Sequence, residues 1–187
     1  MHLIKTPIKD VYLIELDKKE DERGFFARLF CVEDFAKLGL EHKFIQMNNS
    51  LSLRKGTLRG LHYQLKPKEE TKVVRCIRGS LYDVVLDLRE DSSTFGKYFG
   101  ATLSAENRQM MYVPPGCAHG FLTLEDNSEV LYLVSEFYSK EAERAVRWND
   151  PQFTIAWPIT PTVISQRDQE HPDFLSNPLA VGAGRTP

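Results

Sequence analysis

Three cysteines in 187 residues are too few and too scattered for a disulfide framework. Cys31, Cys76 and Cys117 share no CxxC spacing, which argues equally against a zinc knot. Long apolar runs are missing too. None approaches the roughly 20 residues of a membrane-spanning helix, so no membrane association is expected. The first ten residues, MHLIKTPIKD, lack the apolar core of a secretory signal, which points to a cytoplasmic protein. Charge of one sign is scarce as well. With 24 basic against 26 acidic side chains, the formal net charge is −2, and the broad basic surface that nucleic acid requires is not indicated. No internal repeat or low-complexity tract interrupts the first 165 residues. What remains, 42% hydrophobic and 27% charged, is the composition of a globular chain with a real core.

Period-two alternation dominates what is present. In Leu81–Arg89, Tyr82, Val84, Leu86 and Leu88 are apolar while Asp83, Asp87 and Arg89 lie opposite, which predicts a strand with one buried face. Similar runs are Val11–Leu16, Gly24–Phe30, Phe44–Asn48, Thr57–Gln64 and Lys72–Arg78. Further along come Tyr98–Ser104, Gln109–Val113, Gly120–Leu124 and Val130–Phe137. Turn-forming clusters such as Arg78-Gly79-Ser80 and Pro114-Pro115-Gly116 separate several of them. Helical signals are confined to Val32–Leu38, closed by Gly39, and to one short turn at Lys140–Arg144. Many short strands about ten residues apart predict an all-β barrel or double-sheet jelly roll with a few short helices. Residues 1–168 are expected to form this one domain. Residues 169–187, with several Pro and Gly and little periodicity, are expected to form a C-terminal arm or tail.

Alternation places His62 and Gln64 on one face of the Thr57–Gln64 strand, with Arg59 close by. His119 follows the Pro-Pro-Gly turn, and Tyr132 sits in the apolar strand Leu131-Tyr132-Leu133-Val134. Inward residues of separate strands converge in a barrel, so two histidines and a tyrosine can line one cavity. Each residue alone also has a plain structural reading. A strand histidine is often a hydrogen-bonded core residue, a strand tyrosine is often core, and a lysine opening a strand is normally solvated.

The joint pattern decides between these readings. It comprises Asp21-Glu22-Arg23-Gly24-Phe25-Phe26, Leu58-Arg59-Gly60-Leu61-His62-Tyr63-Gln64, and Arg78-Gly79 followed by Asp83–Arg89. It continues with Leu103-Ser104-Ala105-Glu106-Asn107, Ala118-His119-Gly120-Phe121, Val130-Leu131-Tyr132, Arg147-Trp148-Asn149-Asp150-Pro151 and Trp157-Pro158. In this order and spacing the motifs resemble the dTDP-4-dehydrorhamnose 3,5-epimerase family, from about residue 3 to residue 168. The resemblance implies a cupin-type double-stranded β-helix that works as a homodimer, without metal or other cofactor, in a deoxysugar pathway. The implied reaction inverts C3 and/or C5 of a nucleotide-linked 4-keto-6-deoxyhexose, dTDP-4-dehydro-6-deoxyglucose giving dTDP-4-dehydrorhamnose.

The chemistry accounts for the residue types. The C–H bonds at C3 and C5 are acidic because both flank the C4 carbonyl. Inversion needs a base on one face of the sugar and an acid on the other, with an enolate between. The resemblance assigns His62 as base, since imidazole titrates near neutrality, and Asp168 as the anion that orients it. It assigns Tyr132 as the acid and Lys72 as the cation near the C4 oxygen, which also touches substrate. Arg23 and Arg59 match nucleotide-sugar contacts, guanidinium suiting phosphate. His119, Tyr138, Glu143 and Arg167 are expected to complete the substrate-binding set.

Departures fall near the nucleotide end. Ala27-Arg28 stands where the family usually has a glutamate, and Gln46-Met47-Asn48-Asn49-Ser50 stands where it often has Gln-Asp-Asn-His-Ser. Arg28 only donates hydrogen bonds and so suits an acceptor such as cytosine N3, which keeps a CDP-linked substrate as an alternative. The other course is that Arg28 turns to solvent and Gln46 and Asn48 read the base. Two further readings compete: a metal-dependent cupin using His62, Gln64, Glu69 and His119, and a non-catalytic sugar-binding module. The N-terminal runs Val11–Leu16 and Gly24–Phe30 are expected as sheet edges that complete a partner's sheet in the homodimer.

Overall fold

Strong hydrophobicity on alternate positions is what a strand needs to bury one face, but the central strands of this chain bury both. The computed structural model describes residues 1–174. In chain order it contains β1 (His2–Lys5), β2 (Tyr12–Glu15), β3 (Lys19–Asp21), β4 (Gly24–Phe26), α1 (Val32–Lys37), β5 (Gln46–Ser52) and β6 (Thr57–Gln64). Then come β7 (Lys72–Arg78), β8 (Ser80–Asp87), β9 (Tyr98–Ser104), β10 (Met110–Val113), β11 (Cys117–Thr123) and β12 (Ser128–Val134). The series ends with β13 (Glu143–Ala145), β14 (Val163–Ile164) and α2 (Gln166–Gln169). One sheet has the order β1-β2-β10-β7-β12-β5 and faces a second of order β13-β6-β11-β8-β9, with β14 added parallel to β6. The crossing order is that of a jelly roll, and the fold is of cupin type.

Apolar side chains of both inner faces meet between the sheets, including Val74, Leu81, Val85, Leu103, Met111 and Val130. A second cluster covers the outer face of the β6–β11–β8 sheet, where Leu61, Val84, Leu86 and Val146 pack under Phe153 and Phe174. The strand at Leu81–Arg89 is therefore not half-solvated as its alternation suggested. Asp83 and Asp87 are both fully buried. They are tolerated because each has partners: Asp83 meets His119, and Asp87 accepts from Arg89, Ser92 and Thr94. Burial pushes the Asp87 carboxyl up, but those hydrogen bonds outweigh it and hold the group at about 2.

The structure corrects several boundaries. Val11–Leu16 does not provide a sheet edge, because β1 pairs with β2 and takes the outer position. The short turn expected at Lys140–Arg144 is present but shorter, closed by the Glu143 amide on the Ser139 carbonyl, and Glu143 and Arg144 already belong to β13. Helix α1 lies where the apolar spacing put it, burying Phe35, and Gly39 follows its C-cap Leu38 with φ of 72°. Residues beyond Asp168 do not leave the domain at once: Gln169 completes α2, and Phe174 is buried against Phe153. The rest of the expected arm lies outside the described residues.

A backbone irregularity in β6 positions the site. His119 on β11 faces His62, and Phe121 faces Arg59, so three steps along β6 match two along β11. This bulge turns Arg59 and His62 to the same side, where strict alternation would oppose them. Gly60, at φ of 119°, and Gly120 allow the two backbones to touch there. A Cβ on Gly120 would lie 2.7 Å from the Arg59 carbonyl oxygen and 3.0 Å from Gly60 Cα, both rigid backbone. Gly120→Ala is expected to cost about 1–3 kcal/mol and to lower Tm by at least about 2 °C, measured by calorimetry. An unchanged Tm would contradict the close contact.

Candidate active site

A cavity of about 550 Å³ opens between the sheets, a size that suits a small organic ligand. Each wall owes its polar groups to a different part of the chain. The β6–β11 wall supplies Arg59, His62 and His119; the β7–β12 wall supplies Lys72 and Tyr132. The segment Val163–Asp168 closes one side and adds Arg167 and Asp168.

His62 and Asp168 are 106 residues apart in sequence, yet His62 Nε2 lies 2.7 Å from Asp168 Oδ1. Ser165 caps α2 by accepting from the Asp168 amide, and this fixes the short helix that carries the carboxylate. Burial pushes the Asp168 carboxyl up. Hydrogen bonds from His62, Ser165 and the Gly60 backbone more than offset it, so the group stays below the usual carboxylate range. An ionised carboxylate only accepts, so His62 Nε2 is the donor in this contact, which leaves Nδ1 as the ring nitrogen not engaged by Asp168.

On the opposite wall Lys72 is not a solvated strand opener. It is 9% exposed, and its ammonium lies 3.0 Å from Glu70 Oε1 and 3.4 Å from the His62 carbonyl oxygen. Tyr132 pairs in register with Val74 on one side and Asn48 on the other, a half-buried phenol among apolar neighbours. Burial and then the charge of Glu70 push its pKa up, with Arg59 pulling the other way. His119 Nε2 lies 2.8 Å from Asp83 Oδ1, making a second buried imidazole–carboxylate pair.

Other expected site residues are scattered. Arg59 is tethered at the cavity edge to Ser52 Oγ and the Leu51 carbonyl. Gln46 and Asn48 share the β5 face of the cavity-lining Ser50, with Asn48 beside Tyr132. Glu143 binds Arg167 and accepts from the Tyr138 hydroxyl at 2.8 Å, but neither Glu143 nor Tyr138 lines the cavity. Burial raises the Glu143 pKa, and those two partners reverse it. Arg23 is exposed on the β3–β4 hairpin, paired with Asp21 and outside its own cavity. Arg28 is exposed and does not line the cavity of its own chain. The donor set of a metal cupin is not assembled either. Gln64 is buried with its amide bonded to Lys68, Phe137 and Ser139 backbone, and neither it nor Glu69 lines the cavity.

Sequence reasoning missed Asp83 and Glu70. Asp83 reads as the polar side of an amphipathic strand, and only the β8–β11 register turns it toward His119. Glu70 had a usable signal, since residues two apart in extended chain share a face with Lys72. The raised Tyr132 pKa is measurable: the wild-type minus Tyr132→Phe ultraviolet titration should resolve a phenol above the ordinary value of about 10. A difference curve centred at or below that value would contradict the burial and the Glu70 charge as causes.

Comparison with known proteins bears on this arrangement. Among the described residues, no helix is long and apolar enough to cross a membrane. A family described as dTDP-4-dehydrorhamnose 3,5-epimerase matches residues 5–176. The Shigella flexneri enzyme of that name is 45% identical over 176 residues, covering 94% of this chain and 97% of its own. The crystal structure of dTDP-4-dehydrorhamnose 3,5-epimerase from Elizabethkingia anophelis superposes with a TM-score of 0.90 at 44% identity, covering 94% and 97%. That from Bacillus anthracis, with TDP and PPi bound, gives 0.88 at 41% identity, covering 92% and 98%. With a cupin-type fold, a cavity between its sheets and matches along nearly its whole length, the chain belongs to the dTDP-4-dehydrorhamnose 3,5-epimerase family of carbohydrate epimerases.

Proposed function

We propose that the protein converts dTDP-4-dehydro-6-deoxyglucose to dTDP-4-dehydrorhamnose in the cytoplasm, inverting C3 and C5 through enolates. One observation carries this reading: an imidazole anchored on a buried carboxylate and a phenol occupy opposite walls of one cavity. His62 Nδ1 removes the proton next to the C4 carbonyl. The resulting imidazolium is stabilised by Asp168, whose carboxylate stays charged throughout. Lys72, held by Glu70, faces the charge that develops on the C4 oxygen, a kind of stabilisation commonly worth a few kcal/mol. Tyr132 returns a proton from the other face; a phenol is protonated near neutrality, and burial and Glu70 push its pKa further up. The sequence of steps draws only on these side chains and needs no metal.

Arg59, Arg167 and the Gln46–Asn48–Ser50 face of β5 are the groups best set to bind the nucleotide diphosphate. The thymidine nucleotide is preferred over cytidine because the relatives that match along the chain carry dTDP in their names.

A second copy of the chain supports the site in this reading. The β3–β4 hairpin is exposed throughout and pairs with neither main sheet, a marginal arrangement for two strands alone. It presents Arg23 and the 62% exposed Phe26 away from their own cavity, and Met47 and Leu51 are exposed on β5. The hairpin then delivers Arg23 to the partner's cavity. Sedimentation at micromolar concentration should give a dimer; a fully active monomer would contradict the shared site.

Solvent-deuterium exchange followed by proton NMR tests the assignments. His62→Asn should lose exchange at C3 and C5 by a factor of about 10²–10⁴ or more, and Asp168→Asn should be strongly impaired. Tyr132→Phe should still wash in deuterium with little net inversion, because His62 can replace a proton on the face it came from. Near-normal exchange in the His62 variant would sink the base assignment, and parallel loss of exchange and inversion in Tyr132→Phe would sink the acid.

A further inference from the structure

His171 has no part in the reaction as drawn, yet it sits against its base. It lies three residues beyond Asp168, just past Glu170, the C-cap of α2. Ligand atoms of His62, Asp168 and His171 all fall within 4.8 Å of one another. The Nε2 atom of His171 is buried and has no hydrogen-bond partner among the described residues, a condition that folded proteins seldom leave unexplained.

We propose that His62, Asp168 and His171 form a site for a divalent transition-metal ion of the Zn2+ type, and that the bound ion silences the base. Two imidazoles and one carboxylate make a three-ligand zinc set with a fourth position open to water. Bonds near 2.0–2.1 Å in a tetrahedron put ligand atoms about 3.4 Å apart. His171 therefore closes in slightly, while the 2.7 Å contact between His62 and Asp168 loosens to admit the ion. His171 also borders an open surface depression with Gln166, Arg167 and Glu170, apart from the cavity wall formed by Tyr132, and this is the side proposed for entry of the ion. Arg167 is the cation that opposes an incoming metal, and its charge is already met by Glu143.

The consequence rests on the base assignment above. A metal on His62 Nε2 takes the place of the proton that Asp168 accepts, and the neutral ring then holds its one proton on Nδ1. The imidazole that removed a proton becomes a donor. No bond to carbon forms, and nothing is oxidised or reduced.

Two measurements on the full chain separate the claims. Equilibrium dialysis against Zn2+, with Co2+ absorption as a spectroscopic reporter, should find one ion per chain. His171→Phe should weaken binding at least about tenfold, and His171→Gln serves if the first variant folds poorly. In the exchange assay, Zn2+ should stop deuterium wash-in by wild type and a chelator should restore it, whereas the His171 variants should exchange at the wild-type rate and resist the ion. Absence of binding, or equal binding by the His171 variants, overturns the site. A bound ion that leaves exchange untouched overturns the silencing. If metal-free wild type shows no exchange at all, the epimerase reading fails, and dialysis still decides the site.

Discussion

The contact between His62 and Asp168 is the constraint on which the working end of the molecule depends. A carboxylate that is 5% exposed is costly to hold as an anion unless its oxygens are occupied. The chain satisfies it from three directions, by the His62 ring, the Ser165 cap and the Gly60 backbone. Each comes from a different local device: a bulged strand, a four-residue helix and a glycine approach. Loss of any one leaves the others poorly placed, so the geometry of the base and the packing of the strands are a single arrangement.

The same logic recurs around the cavity. Lys72 is matched by Glu70, His119 by Asp83, and Arg167 by Glu143. An isolated polar group on such a wall is free to turn; a paired one is held in direction by its partner. The interior thus offers fixed donors and acceptors before any ligand arrives, which is the property that electrostatic catalysis requires.

Much of this was legible in the chain, and unevenly. Thr57–Gln64, Lys72–Arg78 and Tyr98–Ser104 were bounded to the residue by their alternation and flanking turns. His62, Tyr132, Lys72 and Asp168 were identified by motif, and the structure brings all four to one cavity. β1, β3, β13 and β14 are two to four residues long, too short for a period to register, and exist because neighbours pair with them. Asp83 was misread for a related reason. Alternation reports which residues share a face, but not whether the opposite face is also covered: Asp83 shares its face with Leu81 and Val85, and the second sheet covers that face with Val74, Met111 and Val130. The run expected as Gly24–Phe30 ends as a strand at Phe26, so Arg28 lies beyond it, where alternation says nothing of its direction.

The order of the chain has a consequence for how the molecule is made. Every strand of the two main sheets except β14 is complete by Ala145, whereas the carboxylate that anchors the base arrives at position 168. On the ribosome, where N-terminal parts fold first, a nearly finished barrel exists before its chemistry does. The last packed stretch, with Asp168 on α2 and Phe174 bonded to Asp150, then converts a container into a working site. A nascent chain released just short of that point would carry the shape of the enzyme and an unanchored histidine.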